Sequence, residues 1–200
     1  MPSAPPPGDP APADGALPAS ALREVTGRPL SFYVHVPFCR HRCDYCAFAT
    51  WTDRHDLAGR YLEACRRQVR EAASGLPPVT SVFVGGGTPS LVEPEALLDV
   101  LAAVPLAPGA EVTLECNPDD LDPARVAAYV QGGVTRLSIG VQSMVPGVLR
   151  ALGREHQPDN VRRAAEAAHA AGVPFNVPGT TNILRVAPCD ERLIYRADSE

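Results

Sequence analysis

Cys39, Cys43 and Cys46 stand in one short run, Cys39-Arg40-His41-Arg42-Cys43-Asp44-Tyr45-Cys46, with the spacing C-x3-C-x2-C. Such a run can deliver three thiolates to one metal centre from a single loop. A cubane iron–sulfur cluster has four irons and is held by thiolates, so three cysteines leave one iron without a protein ligand. An open coordination position is where a small molecule meets a metal centre, the logic that separates catalytic from closed zinc sites. The competing reading is one zinc ion on the three cysteines plus His35, His41 or His55. Zinc sites usually draw on two separated pairs of ligands, and the second pair is missing here. Disulfides fit less well, because three crowded thiols cannot all pair locally and no export signal marks the chain.

Further along, Gly85-Gly86-Gly87-Thr88-Pro89 follows a strand pattern. Successive glycines let a backbone approach a ligand closely and offer it N–H and C=O groups. The run has neither the GK[ST] of a phosphate loop nor the G-x-G-x-x-G of a dinucleotide site. Taken alone, it is also a plain tight turn. Glu115-Cys116-Asn117-Pro118 ends a third strand pattern, Gln142-Ser143 a fourth, and Arg154 lies beyond in Leu152-Gly153-Arg154-Glu155-His156. A carboxylate, an amide and a guanidinium brought to one place could bind a zwitterionic ligand with an amino-acid end and a ribose. Arg154 reads equally well as the ion-pair partner of Glu155 or as a helix-end charge.

The elements that would bring these residues together alternate along the chain. Strand patterns cover 31–36, 80–84, 111–115 and 136–141, and a fifth begins at 175–177. Helical spacing runs over 57–73, with Tyr61, Leu62, Cys65, Val69 and Ala72 on one face, and over 148–152 and 159–171. Ser90 with Glu93 has the spacing of a capping box for a helix to about Val104. Asp122-Pro123 suits an N-cap and first turn, and Gly132 and Gly172 suit C-terminal stops. Alternating β and α units imply a parallel sheet with helices outside, an α/β fold forming an open or closed barrel. The strands are not apolar throughout. Tyr33 and His35 alternate with Phe32, Val34 and Val36. Glu111, Thr113 and Glu115 alternate with Val112 and Leu114, and Ser138, Gly140 and Gln142 with Leu137, Ile139 and Val141. With a period of two, one face meets the helices and the other lines a polar interior that would enclose a ligand.

The chain has 200 residues and a formal net charge of -5, which argues against a general nucleic-acid binder. Arg66-Arg67 and Arg162-Arg163 fall in helical patterns with nearby glutamates and read as solvated faces. No run is apolar and long enough to span a bilayer. Six cysteines without an export signal point to a reducing cytoplasm and metal work. Residues 1–28 are rich in Pro, Ala, Gly and Ser and are expected to form a disordered tail.

Taken together, the strings Tyr33-Val34-His35-Val36-Pro37-Phe38-Cys39, Cys43-Asp44-Tyr45-Cys46, Gly85 to Ser90, Glu115 to Pro118, Arg136 to Ser143, and Leu152-Gly153-Arg154 with His156 give the chain a specific likeness. Over residues 30–177 it resembles the radical S-adenosylmethionine (SAM) proteins of the oxygen-independent coproporphyrinogen III oxidase group. The resemblance implies a partial (β/α) barrel over 29–177 and a [4Fe–4S] cluster on Cys39, Cys43 and Cys46. The open iron would chelate the amino and carboxylate groups of SAM. Gly86, Gly87, Thr88, Glu115, Gln142 and Arg154 fall at positions that contact SAM in the family, and Tyr33 at an aromatic position before the loop. One-electron reduction, from a flavodoxin- or ferredoxin-type protein, would cleave SAM to methionine and a 5′-deoxyadenosyl radical.

The group has two branches. The porphyrin-forming oxidases carry a fourth cysteine two residues after the third, where this chain has Phe48. That residue favours the other branch, a haem chaperone that binds haem and SAM and delivers haem to respiratory proteins. His35, His41, His55, His156 and His169 are all candidate haem ligands, and each reads as well as a surface or packing histidine. Cys65 reads as core, and Cys116 and Cys189 have no partner motif.

The likeness breaks at the fifth strand. The family continues there as Asn-x-Asp-Leu-Ile-Tyr-Gly-x-Pro-Gly, whereas this chain reads Phe175-Asn176-Val177-Pro178-Gly179-Thr180-Thr181. An aspartate expected near SAM is missing, Pro178 cannot donate to a ladder, and residues 178–200 match nothing. The expectation is a truncated or frameshifted chain, incomplete at its C-terminal side, with an open sheet edge and unpartnered helix faces that make it poorly soluble or partly molten.

Overall fold

The computed structural model describes residues 28–73 and 75–178. The tail expected over 1–28 and the segment 178–200 lie outside the described residues, save for Arg28 and Pro178, as does Cys189.

Five strands, Leu30–Val36 (β1), Val79–Gly86 (β2), Leu106–Cys116 (β3), Arg136–Ile139 (β4) and Phe175–Asn176 (β5), form one sheet in chain order, with every neighbouring pair parallel. Five α-helices connect them: Ala58–Ala73 (α1), Pro94–Ala102 (α2), Pro123–Gln131 (α3), Pro146–Ala151 (α4) and Pro158–Ala170 (α5). Parallel crossovers are right-handed, so a strand order that never reverses puts every helix on the same face of the sheet. The other face is left for something else, as in the wall of a barrel. Among the described residues β1 and β5 do not pair with one another, and the wall is open.

Side-chain alternation follows from this. Val34, Val36, Val82, Val84, Val112, Leu114, Leu137 and Ile139 point to the helices and pack with Leu62, Leu97, Val100, Val126, Tyr129, Ala164 and Ala168 into one buried core. The opposite face carries Tyr33, Phe83, Thr113 and Arg136 in one register row. Tyr33 and Phe83 are exposed there, while Thr113 and Ser138 are buried. The polar inner face expected from the period of two is therefore present. An antiparallel sheet with one wet face would have given the same alternation, and the parallel pairing rules it out.

Local signals set most helix ends. Asp122 Oδ1 accepts from Arg125 N at 2.8 Å, and Pro123 opens α3. After α5, Gly172 takes φ 67°, a left-handed conformation that stops the helix without strain on a Cβ. The capping box expected at Ser90 is not formed. Pro89–Leu91 makes a separate 3-10 turn, α2 begins at Pro94 with Glu93 before it, and neither side chain caps it. Ser90 is turned inward to a long-range partner instead. No helix among the described residues is long and apolar enough to cross a membrane.

Candidate functional site

The C-terminal ends of β1 to β4 open onto one cavity of about 170 Å3, where parallel α/β folds gather their binding residues. Its walls include Cys39, Cys43 and Cys46 from the loop after β1, and Gly86, Gly87 and Thr88 after β2. Glu115 and Asn117 come from the end of β3, Gly140 and Gln142 follow β4, and Arg154 follows α4. Tyr33 is the one candidate outside this wall. It stacks on Phe83 with ring centroids 6.2 Å apart, and its hydroxyl lies 3.2 Å from His35 Nδ1.

The cysteine loop leaves and re-enters the fold through a tied neck. Trp51 N donates to Pro37 O at 2.7 Å and Cys39 N to Trp51 O at 3.0 Å. Phe38 is buried between the rings of Trp51 and Tyr61. Inside the loop, Cys46 N donates to Cys43 O at 3.0 Å. The glycine run is knitted to the same neck. Gly87 N donates to Val36 O and Thr88 N to Phe38 O, both at 2.8 Å. A Cβ on Gly87 would lie 2.7 Å from Phe38 O and 3.0 Å from Cys39 Sγ, so only glycine lets these two backbones meet. Burial raises the Cys39 thiol above its ordinary pKa, and the Thr88 hydroxyl, 3.6 Å from its sulfur, pulls it back.

Opposite the thiols, Glu115 Oε2 accepts from Gly86 N at 3.2 Å. Burial raises this carboxyl too, and the Gly86 hydrogen bond opposes the rise. Gln142 sits at φ 61°, the one non-glycine in the left-handed region among the described residues, and its N donates to Pro178 O at 3.0 Å. Arg154 bridges two walls. Its Nη2 donates to Gly140 O, its Nη1 lies 3.8 Å from Cys43 Sγ, and its buried Nε has no partner. The Glu155 pairing left open by the sequence is not made, because Glu155 lies 3.3 Å from His41 Nδ1.

His156, near the Arg154 guanidinium, is 3% exposed, with the Val141 backbone as a weak polar neighbour and no well-formed hydrogen bond at either ring nitrogen. Burial, helped by the Arg154 guanidinium, pushes its pKa from 6.5 down to about 4. The unfolded chain then takes up a proton the folded one refuses. Stability should be complete above pH 6.5 and fall as pH drops toward 4, by about 3 kcal/mol from this group. Urea denaturation of wild type and His156→Leu across that window checks this; equal pH slopes would show that another group titrates.

The described residues match thiolate cluster chemistry better than a single zinc ion. No three ligating side chains among them converge on a point for one ion. Of the three histidines offered for zinc, His35 has both ring nitrogens in hydrogen bonds, to Tyr33 Oη at 3.2 Å and Ala49 O at 3.0 Å, while His55 Nε2 meets Cys39 O at 2.8 Å and His41 Nδ1 lies 3.3 Å from Glu155. The thiols instead line one cavity together with Gly86, Gly87 and Gly140, with Gly87 packed against Cys39 and the Arg154 guanidinium, whose Nε has no hydrogen-bond partner, beside Cys43. Soft sulfur donors around an open space suit an iron–sulfur cluster with a small molecule beside it. The sequence reading missed Arg40, Asp120 and Phe83 and gave Ser90 only a capping role, because their partners lie far along the chain.

The pattern of the Radical SAM superfamily matches residues 33–186. The chain is 44% identical over 161 residues to the heme chaperone HemW of Mycobacterium tuberculosis (strain CDC 1551 / Oshkosh), covering 76% of this chain and 41% of that one. It is 40% identical over 161 residues to the heme chaperone HemW of Escherichia coli (strain K12), covering 74% and 42%. The structure is similar to that of coproporphyrinogen III oxidase (HemN) from Escherichia coli, a radical SAM enzyme, with a TM-score of 0.70 and 28% identity over 79% of this chain and 39% of that one. The chain thus spans about two-fifths of the length of these relatives. By sequence pattern, fold and relatives alike, it belongs to the radical SAM superfamily.

Proposed function

We propose that Cys39, Cys43 and Cys46 hold a [4Fe–4S] cluster, that SAM lies beside it, and that the chain forms the radical SAM part of a haem chaperone that passes haem to respiratory proteins in the cytoplasm, with a flavodoxin- or ferredoxin-type reductant. The observation that carries this reading is the shared cavity, lined by the three thiols together with Gly86, Gly87, Thr88, Glu115, Gln142 and Arg154. When bound, the pair supplies one-electron reductive cleavage of a carbon–sulfur bond.

The chain's own residues bind and orient. The glycine run gives backbone groups a close approach to an ammonium or a ribose, with Glu115 tied to Gly86 N. Arg154 presents a fixed cation to a carboxylate. Gln142 brings an amide to the same wall. Tyr33 flanks the site from the inner face of β1 through its stack on Phe83. Phe48, exposed on the cavity rim, stands where the oxidases carry a further cysteine, and this favours the chaperone reading. The likeness to the coproporphyrinogen III oxidase structure supports the second reading, oxidative decarboxylation of a porphyrinogen.

Anaerobic reconstitution should give a brown protein with about four irons and matching sulfide per chain, and dithionite with SAM should release 5′-deoxyadenosine. Titration with haem should give a saturable Soret shift, and coproporphyrinogen should remain unconsumed. Colourless protein without sulfide, or one zinc per chain, would overturn the cluster. Conversion of coproporphyrinogen would move the assignment to the oxidases.

A further inference from the structure

We infer that Asp120 is a positioning residue that latches the cysteine loop through Arg40 before any metal arrives. The inference rests on the cluster reading above. Asp120 lies in the turn after β3, with its side chain 0% exposed. Its Oδ1 accepts from Arg40 Nη2 at 2.5 Å and its Oδ2 from Ser90 Oγ at 2.7 Å. Ser90 Oγ in turn accepts from Asn117 N at 2.8 Å, and Arg125 Nη1 donates to Ser90 O. One buried carboxylate therefore ties together the segment after the glycine run, the turn after Glu115, and the residue next to Cys39.

A fully buried carboxylate is tolerated only when it is paired, and this one engages both oxygens with partners from two different walls. Arg40 reaches it from the surface, its own side chain 56% exposed. The loop's other ion pair, His41 with Glu155, has both partners partly in water, where such pairs contribute little. Cys39 is itself tied by its backbone to Trp51 and by Thr88 and His55, and the Asp120 pair adds the ion pair that fixes the next residue, Arg40, where the loop leaves that neck. A group bonded directly to a metal ligand changes metal retention roughly 10–100-fold when removed, and Asp120, acting one residue away through Arg40, is expected at the low end of that range.

The test uses the full 200-residue chain, metal-free and then reconstituted anaerobically with ferrous iron and sulfide. Asp120→Asn keeps the shape and loses the charge; Arg40→Ala removes the pair from the exposed side; Arg40→Lys can still donate. In the metal-free protein, both Asp120→Asn and Arg40→Ala should speed hydrogen exchange of the amides of residues 40–46. After reconstitution, each should lower iron retention against a chelator by about tenfold. The double variant should do no worse than Asp120→Asn alone, and Arg40→Lys should recover part of the loss. Variants that melt earlier yet exchange and retain iron like wild type would overturn the latch and leave Asp120 a purely stabilising group. If wild type takes up no iron while the variants still speed loop exchange, the cluster reading fails and the latch stands.

Discussion

Cys43→Ala is expected to take the reconstituted chain from about four irons to near background, with loss of its visible absorbance. The metal ligand is the thiolate, and alanine offers none. Each neighbouring histidine is oriented by a hydrogen bond or ion pair at one ring nitrogen at least, to a backbone carbonyl or to Glu155. Cys116, the thiol nearest along the far wall, is buried and donates weakly to Leu114 O at 3.6 Å. Burial, with Asp120 and Glu115 nearby, raises its pKa strongly. Cys65→Ala provides the control. That side chain is half-buried on α1, packed against the core, and its removal should leave iron and sulfide unchanged. Equal iron in the Cys43→Ala and wild-type proteins, measured beside sulfide, would place the metal elsewhere.

A larger effect on the fold itself is expected from Gly87→Ala. The added carbon would sit 2.7 Å from Phe38 O and 2.8 Å from Val36 O, and those atoms are backbone held by hydrogen bonds from Thr88 N and Gly87 N. Neither can rotate away as a side chain tip would. Overpacking of this kind costs about 1–3 kcal/mol, and relief can come only by pushing the neck of the cysteine loop outward, so iron retention should fall with stability. Gly59→Ala supplies the opposite sign. Nothing lies within 4 Å of its would-be Cβ, and its place in α1 favours alanine by roughly 0.5–1 kcal/mol. Denaturation midpoints for the two variants should move in opposite directions, and a Gly87→Ala protein as stable as wild type would mean that the two backbones are not in contact.

What could be read from the sequence was what neighbours decide. Period-two alternation placed the strands and their polar face, and Asp122 and Gly172 marked helix ends because capping is settled within a few residues. Ser90 shows where that stops. Its spacing to Glu93 fits a cap, yet Pro94 starts the helix, and the hydroxyl goes to a carboxylate and an amide thirty and twenty-seven positions away. The same distance hid Asp120, whose partner Arg40 lies eighty positions earlier. Glu155 was an even choice for Arg154 on the sequence, and the fold gives it to His41. The start of β3 at Leu106 was also out of reach, since Gly109 at φ 76° and the register shift between Val79 and Ser81 interrupt the alternation there.

A strand order that copies chain order also sets a timetable. As the polypeptide leaves the ribosome, each loop of the site appears in turn, thiols first and guanidinium last. At about 5–20 residues per second, the interval between Cys46 and Arg154 is roughly five to twenty seconds. Early in that interval the nascent cysteines lack the glycine run and the later walls, so oxidants and stray metals in the cell have their best access before those loops emerge.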